Sequence, residues 1–119
     1  MVPAEEPGLT HGIELFNAGE FYECHEVLED VWRPSRGEER LFLQAVIHIA
    51  VGLYHYKEGN PIGAELQLRK ALSKLAGYLP VYRGIDTAQL YRDGQAALEA
   101  VLTGSAVDIR IVSRGIIVS

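Results

Sequence analysis

The sequence predicts an all-α protein, a compact array of about five helices in antiparallel pairs followed by an extended C-terminal tail. Three observations predict it: glycine and proline fall at intervals that leave helix-length segments between them, helix-start signals precede several of those segments, and apolar residues within them recur at the helical period. At 119 residues, 48% hydrophobic and 23% charged, with no low-complexity tract, the chain reads as one folded domain spanning residues 1–119.

Thr10 is placed to cap a first helix running to about Ala18, where Gly19 supplies a left-handed stop. A second helix covers about Glu20 to Arg33 and ends at Pro34, because the residue before proline is pushed out of helical geometry. Ser35 with Glu38 has the spacing of a capping box for a long third helix with no breaker until Gly59. Asn60 followed by Pro61 is an N-cap with proline at the first helical position, so a fourth helix starts at once and runs to about Gly77, antiparallel to the third. Pro80 lies in the next loop. Asp86 with Gln89 opens a fifth helix, about residues 87–102, with Gly94 a weak point inside it and Gly104 beyond its end.

The tail, residues 103–119, changes character. Ile109, Ile111, Val112, Ile116, Ile117 and Val118 are β-branched, which favours extended chain. So many apolar groups require cover, either from the body of the domain or from a second copy in a homodimer. A faint repeat with an offset of 40 residues sets Phe16 on Tyr56, Gly19 on Gly59, Cys24 on Ala64 and Leu28 on Leu68. Each copy is helix, glycine turn, helix, a tetratricopeptide-like unit, but two copies fall short of the roughly three needed for a solenoid.

The net charge of −5 and a pI near 5.3 provide no general positive field, so sequence-independent nucleic-acid binding lacks its driving force. Arg69, Lys70 and Lys74 fall near one another on a helix and read as a solvated face. The single cysteine, Cys24, excludes an intramolecular disulfide, and the start of the chain lacks the basic and apolar runs of a secretory signal. The most apolar stretch, Leu41 to Tyr54, is interrupted by Gln44 and His48 and is short of the ~20 residues that cross a bilayer. These points predict a cytoplasmic protein without a membrane anchor.

Chemistry concentrates on the second and third helices. His25 and Glu29, at i and i+4, put an imidazole and a carboxylate one turn apart on one face, close enough to chelate a divalent ion or to bond to each other. Trp32 is a wall for that site on one side, and Tyr22 shares the face. Between Leu41 and Leu53 only Gln44 and His48 are neither apolar nor glycine, and His55 continues their stripe. Buried polar groups need partners, and the simplest partner for these is the His25 and Glu29 face.

If the faces meet, His25, Glu29, His48 and His55 are candidate ligands for zinc, iron, manganese or nickel, with Gln44, Trp32 and Tyr22 around them. The competing reading is a self-satisfied polar network that fixes helix register and binds nothing. The run His25 to Glu29 invites comparison with metalloprotease helices, but Glu29 stands where the second histidine would be and Glu26 falls on the solvated stripe. Cys24 points into the apolar flank and reads as a core thiol.

The segment from Phe16 through His25, Glu29 and Trp32, the run from Leu41 through His55, and Gly59 to Ala64 opening the next helix resemble the prokaryotic family called domain of unknown function 309. The resemblance covers about residues 10–80 and excludes the tail. It implies a small all-helical protein with no assigned reaction, and a HxxxExxW motif, here His25, Glu29 and Trp32, suspected of binding metal. Position 48 is histidine where the family pattern more often has glutamine.

Two functions follow as expectations. One is a divalent-metal-binding domain, with metal-dependent hydrolysis as its reaction class. The other is a non-catalytic helical interaction module in which the polar stripe is internal scaffolding. The sequence does not decide between enzyme and binding protein.

Overall fold

A computed structural model of the chain describes residues 7–113. The polypeptide forms α1 (Pro7–Asn17), α2 (Phe21–Trp32), α3 (Gly37–Lys57), α4 (Pro61–Leu75), a one-turn 3-10 helix (Ala76–Tyr78), a hairpin of β1 (Val81–Tyr82) and β2 (Ile85–Asp86), and α5 (Thr87–Thr103). The predicted all-α array is what forms. Each helix packs chiefly on the next in sequence, α1 on α2, α2 on α3, α3 on α4 and α4 on α5. The glycine turns at Gly19 and Gly59 fold α2 back on α1 and α4 back on α3.

α3 is the axis of the fold because it is apolar nearly all round. Nine of its 21 residues are buried, including Phe42, Leu43, Ile49 and Leu53, so both α2 and α4 have a face to cover. Leu28 from α2, Leu68 and Leu75 from α4 and Leu90 from α5 are fully buried with them. Gln44, His48, Val51, Tyr54 and His55, all partly buried, fall on one strip of α3.

The repeat is real at the level of geometry. Gly19 and Gly59 both sit at φ 82°, where a side chain would be strained, and each lets a helix pair turn back on itself. Cys24 and Ala64 are both fully buried, as are Leu28 and Leu68. The correspondence extends to Gly12 and Gly52, whose missing side chains admit Leu28 and Leu68 respectively.

Several boundaries differ from expectation. α1 starts at Pro7, so Thr10 lies inside the helix; proline is favourable at a first helical position, where its missing N–H costs nothing. Ser35 does not cap α3. Its hydroxyl donates to the Trp32 carbonyl at 2.6 Å and closes α2, while Arg36, extended at φ −141°, precedes α3. The Asn60 cap accepts from the Gly63 N–H at 3.0 Å, and Asp86 accepts from the Gln89 N–H at 2.9 Å, as expected. Gly104, at φ 76°, closes α5.

The β-hairpin has no counterpart among the elements expected from sequence. Its two strands pair antiparallel through Val81↔Asp86 and Tyr82↔Ile85, with Arg83 and Gly84 at positive φ in the turn. The Leu79–Pro80 peptide before it is cis. Tyr78 and Tyr82 from this region stack on Phe42 and on each other at ring separations of 4.7–5.4 Å, and Arg83 pairs with Glu39 of α3. The hairpin is thereby tied down onto the first turns of α3.

After α5 the chain alternates in burial as extended chain does, with Ile109 and Ile111 buried and Asp108, Arg110 and Val112 exposed. The body of the domain supplies the cover that these two isoleucines need. Ile116, Ile117 and Val118 lie outside the described residues. No helix among the described residues is long and apolar enough to cross a membrane.

Candidate functional site

The amphipathic character of α2 sets the site. Cys24 and Leu28 turn inward and are fully buried, Glu23, Glu26 and Asp30 face outward, and His25 and Glu29 occupy the border between them. His25 Nε2 stands 3.2 Å from Glu29 Oε2, and its Nδ1 stands 3.3 Å from the Tyr22 carbonyl oxygen. The other oxygen of Glu29 faces Arg33 at 3.7 Å, and Arg33 is held more closely by Asp30 at 2.7 Å.

Both ring nitrogens of His25 therefore face oxygen acceptors. A neutral imidazole carries one proton and can satisfy only one of them. The arrangement is complete when one positive charge is added, either as a second ring proton or as a cation shared by Nε2 and the carboxylate. If Nδ1–H donates to the Tyr22 carbonyl, that bond fixes the tautomer and directs the Nε2 lone pair at Glu29, which is how metal-binding histidines are usually oriented.

Beside this pair, Phe21, Tyr22 and His25 of α2 and Val51, Tyr54 and His55 of α3 enclose a cavity of about 200 Å³. The Tyr22 ring lies 5.5 Å from the His25 ring and 5.3 Å from Tyr54, which in turn lies 6.4 Å from His55. Of the polar stripe expected on α3, His55 alone reaches this pocket, where it joins His25 and Tyr22, with Glu29 beside His25 at 3.2 Å. Tyr54 and Val51 complete it from α3.

His55 is committed differently. The amide oxygen of Asn60 accepts from the Gly63 N–H, which points the amide nitrogen at His55 Nδ1, 3.4 Å away. Nδ1 then acts as acceptor and the proton sits on Nε2, making His55 a hydrogen-bond donor rather than a ready metal ligand.

His48 does not join the pocket. Its Nδ1 is 2.7 Å from Gln67 Oε1 on α4, on the opposite flank of α3 from α2. The reason is geometric: His48 and His55 are seven residues apart, about 10 Å along the helix axis, and each takes the partner that the α3–α4 pair sets against it. Burial, and then the charges of Lys74 and Lys70, hold the His48 pKa below its ordinary value. Gln44, one turn earlier, is half-buried on the same strip. Among the described residues no group of three or more His, Cys, Asp and Glu side chains is arranged to hold a metal ion.

Trp32 does not wall the pocket either. It lies two turns beyond His25 at the last residue of α2, where the Arg40 guanidinium stacks on its ring at 3.8 Å and donates to its carbonyl at 3.1 Å. Its Nε1 is buried without a partner among the described residues. Arg40, Gln67 and Asn60 are the residues that sequence reasoning missed. Gln67 carried a signal: the Asn60–Pro61 turn folds α4 back along α3, and His48, nine residues before the end of α3, and Gln67, six residues after the start of α4, both lie within about three helical turns of the connection.

Comparison with known proteins follows the same residues. A family profile described as "Domain of unknown function (DUF309)" matches residues 9–66. The chain belongs to this family. The matched span of the DUF309 profile includes positions 25, 29, 48 and 55 and stops one residue before Gln67. A crystal structure of a conserved hypothetical protein from Thermus thermophilus is similar, at 39% identity and a TM-score of 0.66, covering 84% of this chain and 100% of that one. An uncharacterised protein of Aquifex aeolicus (strain VF5) is 35% identical over 88 residues, 73% of this chain but 25% of the relative. YpuF of Bacillus subtilis (strain 168), also uncharacterised, is 29% identical over 98 residues, 79% of this chain and 56% of YpuF. The chain thus spans a quarter and about half of the lengths of these two relatives.

Proposed function

We propose that the chain binds one divalent transition-metal ion on the His25–Glu29 edge of the α2–α3 pocket, with the aromatic cavity receiving an exogenous ligand of that ion. The observation that carries this reading is the facing of both His25 nitrogens to oxygen acceptors. The spacing also suits it. With metal–ligand bonds of about 2.0–2.2 Å and adjacent ligands roughly 90–110° apart, the nitrogen and oxygen of one coordination edge lie about 3.0–3.4 Å from each other. Nε2 and Oε2 are 3.2 Å apart.

In this reading His55 serves as a donor to whatever occupies the cavity, and His48, engaged by Gln67, stands outside the coordination sphere. Two protein ligands leave positions for water and for an anionic group. The chemistry such an ion supplies is polarisation of an oxygen ligand and a lowered pKa for bound water, which makes hydrolysis the reaction class to test.

Calorimetric titration with zinc, manganese and nickel should show one site per chain that is lost in His25→Ala and Glu29→Gln and kept in His48→Gln. No binding of any of the three ions to the unaltered chain would end the metal reading.

A further inference from the structure

The segment that follows α5 is held in an unusual way. Asn17, the last residue of α1, grips Ile111 with both atoms of its amide: Nδ2 donates to the Ile111 carbonyl at 2.9 Å and Oδ1 accepts from the Ile111 N–H at 2.8 Å. The Asp86 N–H donates to the Val112 carbonyl at 2.8 Å, and Ile85 bridges Ser113 antiparallel, so the tail adds to the edge of the hairpin. Tyr56 Oη donates to the Ser105 carbonyl at 2.6 Å.

Every one of these bonds falls on a main-chain atom of the tail. They are indifferent to its sequence, and the side chains that matter are the inward ones at alternate positions, Ile109 and Ile111, with Val107 half-buried before them. This is the chemistry by which domains bind extended peptides, where main-chain bonds supply affinity and alternate side chains supply specificity.

The tail also underfills its groove. Against residues 107–110 lies a cavity of about 390 Å³ lined by Phe16, Phe21, Leu53 and Tyr56, with Asn17 and Lys57 beside them. An isoleucine at position 109 leaves that space beside it, and an aromatic side chain there would gain contacts with Phe16, Phe21, Leu53 and Tyr56 that isoleucine forgoes.

We propose that this groove is a docking site for an extended segment of another protein bearing apolar side chains at alternate positions, the first of them aromatic, and that residues 105–113 are its intramolecular placeholder. The site is separate from the His25 pocket, and the proposal stands independently of metal binding. The tether through Gly104 keeps the tail at a high effective concentration, of the order of millimolar for a short flexible link, so a partner must compete with it.

The test uses the full chain and a capped peptide of residues 105–113 carrying the Ile109→Phe substitution. Added to the unaltered protein, this peptide should displace the tail and expose the Arg110 peptide bond, speeding tryptic cleavage there by about tenfold at millimolar peptide. A peptide with its apolar residues shifted by one position should leave the rate unchanged. In the full-length Ile109→Ser, Ile111→Ser variant the Ile109→Phe peptide should bind at least about tenfold more tightly than to the unaltered chain, because the tethered competitor no longer holds the groove. Adding Asn17→Ala should weaken it. Equal cleavage with both peptides overturns the proposal whether or not the variant folds, as does a folded variant that binds the peptide no better than the unaltered chain.

Discussion

His48 shows how a single buried side chain turns into a measurable property of the molecule. Its imidazole is desolvated, with Lys74 and Lys70 nearby, and these effects outweigh the Gln67 bond that favours the charged form, so its folded-state pKa lies below the ordinary value of 6.5. Below pH ~6.5 the unfolded chain takes up a proton that the folded chain refuses, and stability falls as pH drops from there toward the folded pKa. Above that window the residue contributes no pH dependence. Glutamine at this position can keep a bond to Gln67 without titrating, so His48→Gln should lose less melting temperature between pH 7.5 and pH 5 than the unaltered protein. Equal losses in the two would refute the assignment. At this scale the His25–Glu29 pair is legible in the sequence, because both members ride on one helix and the i, i+4 spacing alone brings them together. Partners across helices are not legible. Periodicity gives the face of a helix but not the neighbour that meets it, and so it sends His48 to α2 when the residue pairs with α4, and Trp32 to a pocket when Arg40 covers it.

The helices themselves are legible to within a few residues, since the Asn60–Pro61 and Asp86–Gln89 caps and the glycine stops act locally. The hairpin is not, because strands of two residues are too short to carry a period and are held by the aromatic group on α3. How closely helices approach is likewise hidden in sequence, and two glycines separate the cases. A Cβ at Gly12 would lie 2.5 Å and 2.8 Å from Leu28 Cδ2 and Cγ, and Leu28 is fully buried and has nowhere to go. Gly12→Ala should lower the unfolding free energy by about 1–3 kcal/mol through overpacking, against a helix-propensity gain of about 1 kcal/mol. A Cβ at Gly94 meets only the Leu72 Cδ2 methyl at 2.9 Å, with Cγ at 3.9 Å, and Leu72 is half-buried and free to swing. Gly94→Ala should therefore be neutral or stabilising by up to about 1 kcal/mol. Urea unfolding of the two variants checks the contrast, and the opposite order would show that α1 and α2 have more slack than α4 and α5.

At the scale of the whole molecule, the question is whether the array unfolds as a unit, and Cys24 is placed to report on it. The thiol lies fully buried where α2 meets the core, and burial pushes its pKa from 9.0 up to about 12. The thiolate is the reactive species, so a rise of this size removes about a thousandfold of it at neutral pH, before the steric exclusion of the reagent is counted. Cys24 can then be labelled only through an opening that uncovers the buried side of α2. If the stacked pairs open together, labelling by an aromatic disulfide reagent should be slow in native buffer, and its logarithm should rise with urea with the same slope as global unfolding followed by circular dichroism. A shallower slope would mean that the first helix pair opens on its own, in which case the 40-residue repeat marks two units of unequal stability rather than one cooperative core. Fast labelling without urea would contradict the burial itself.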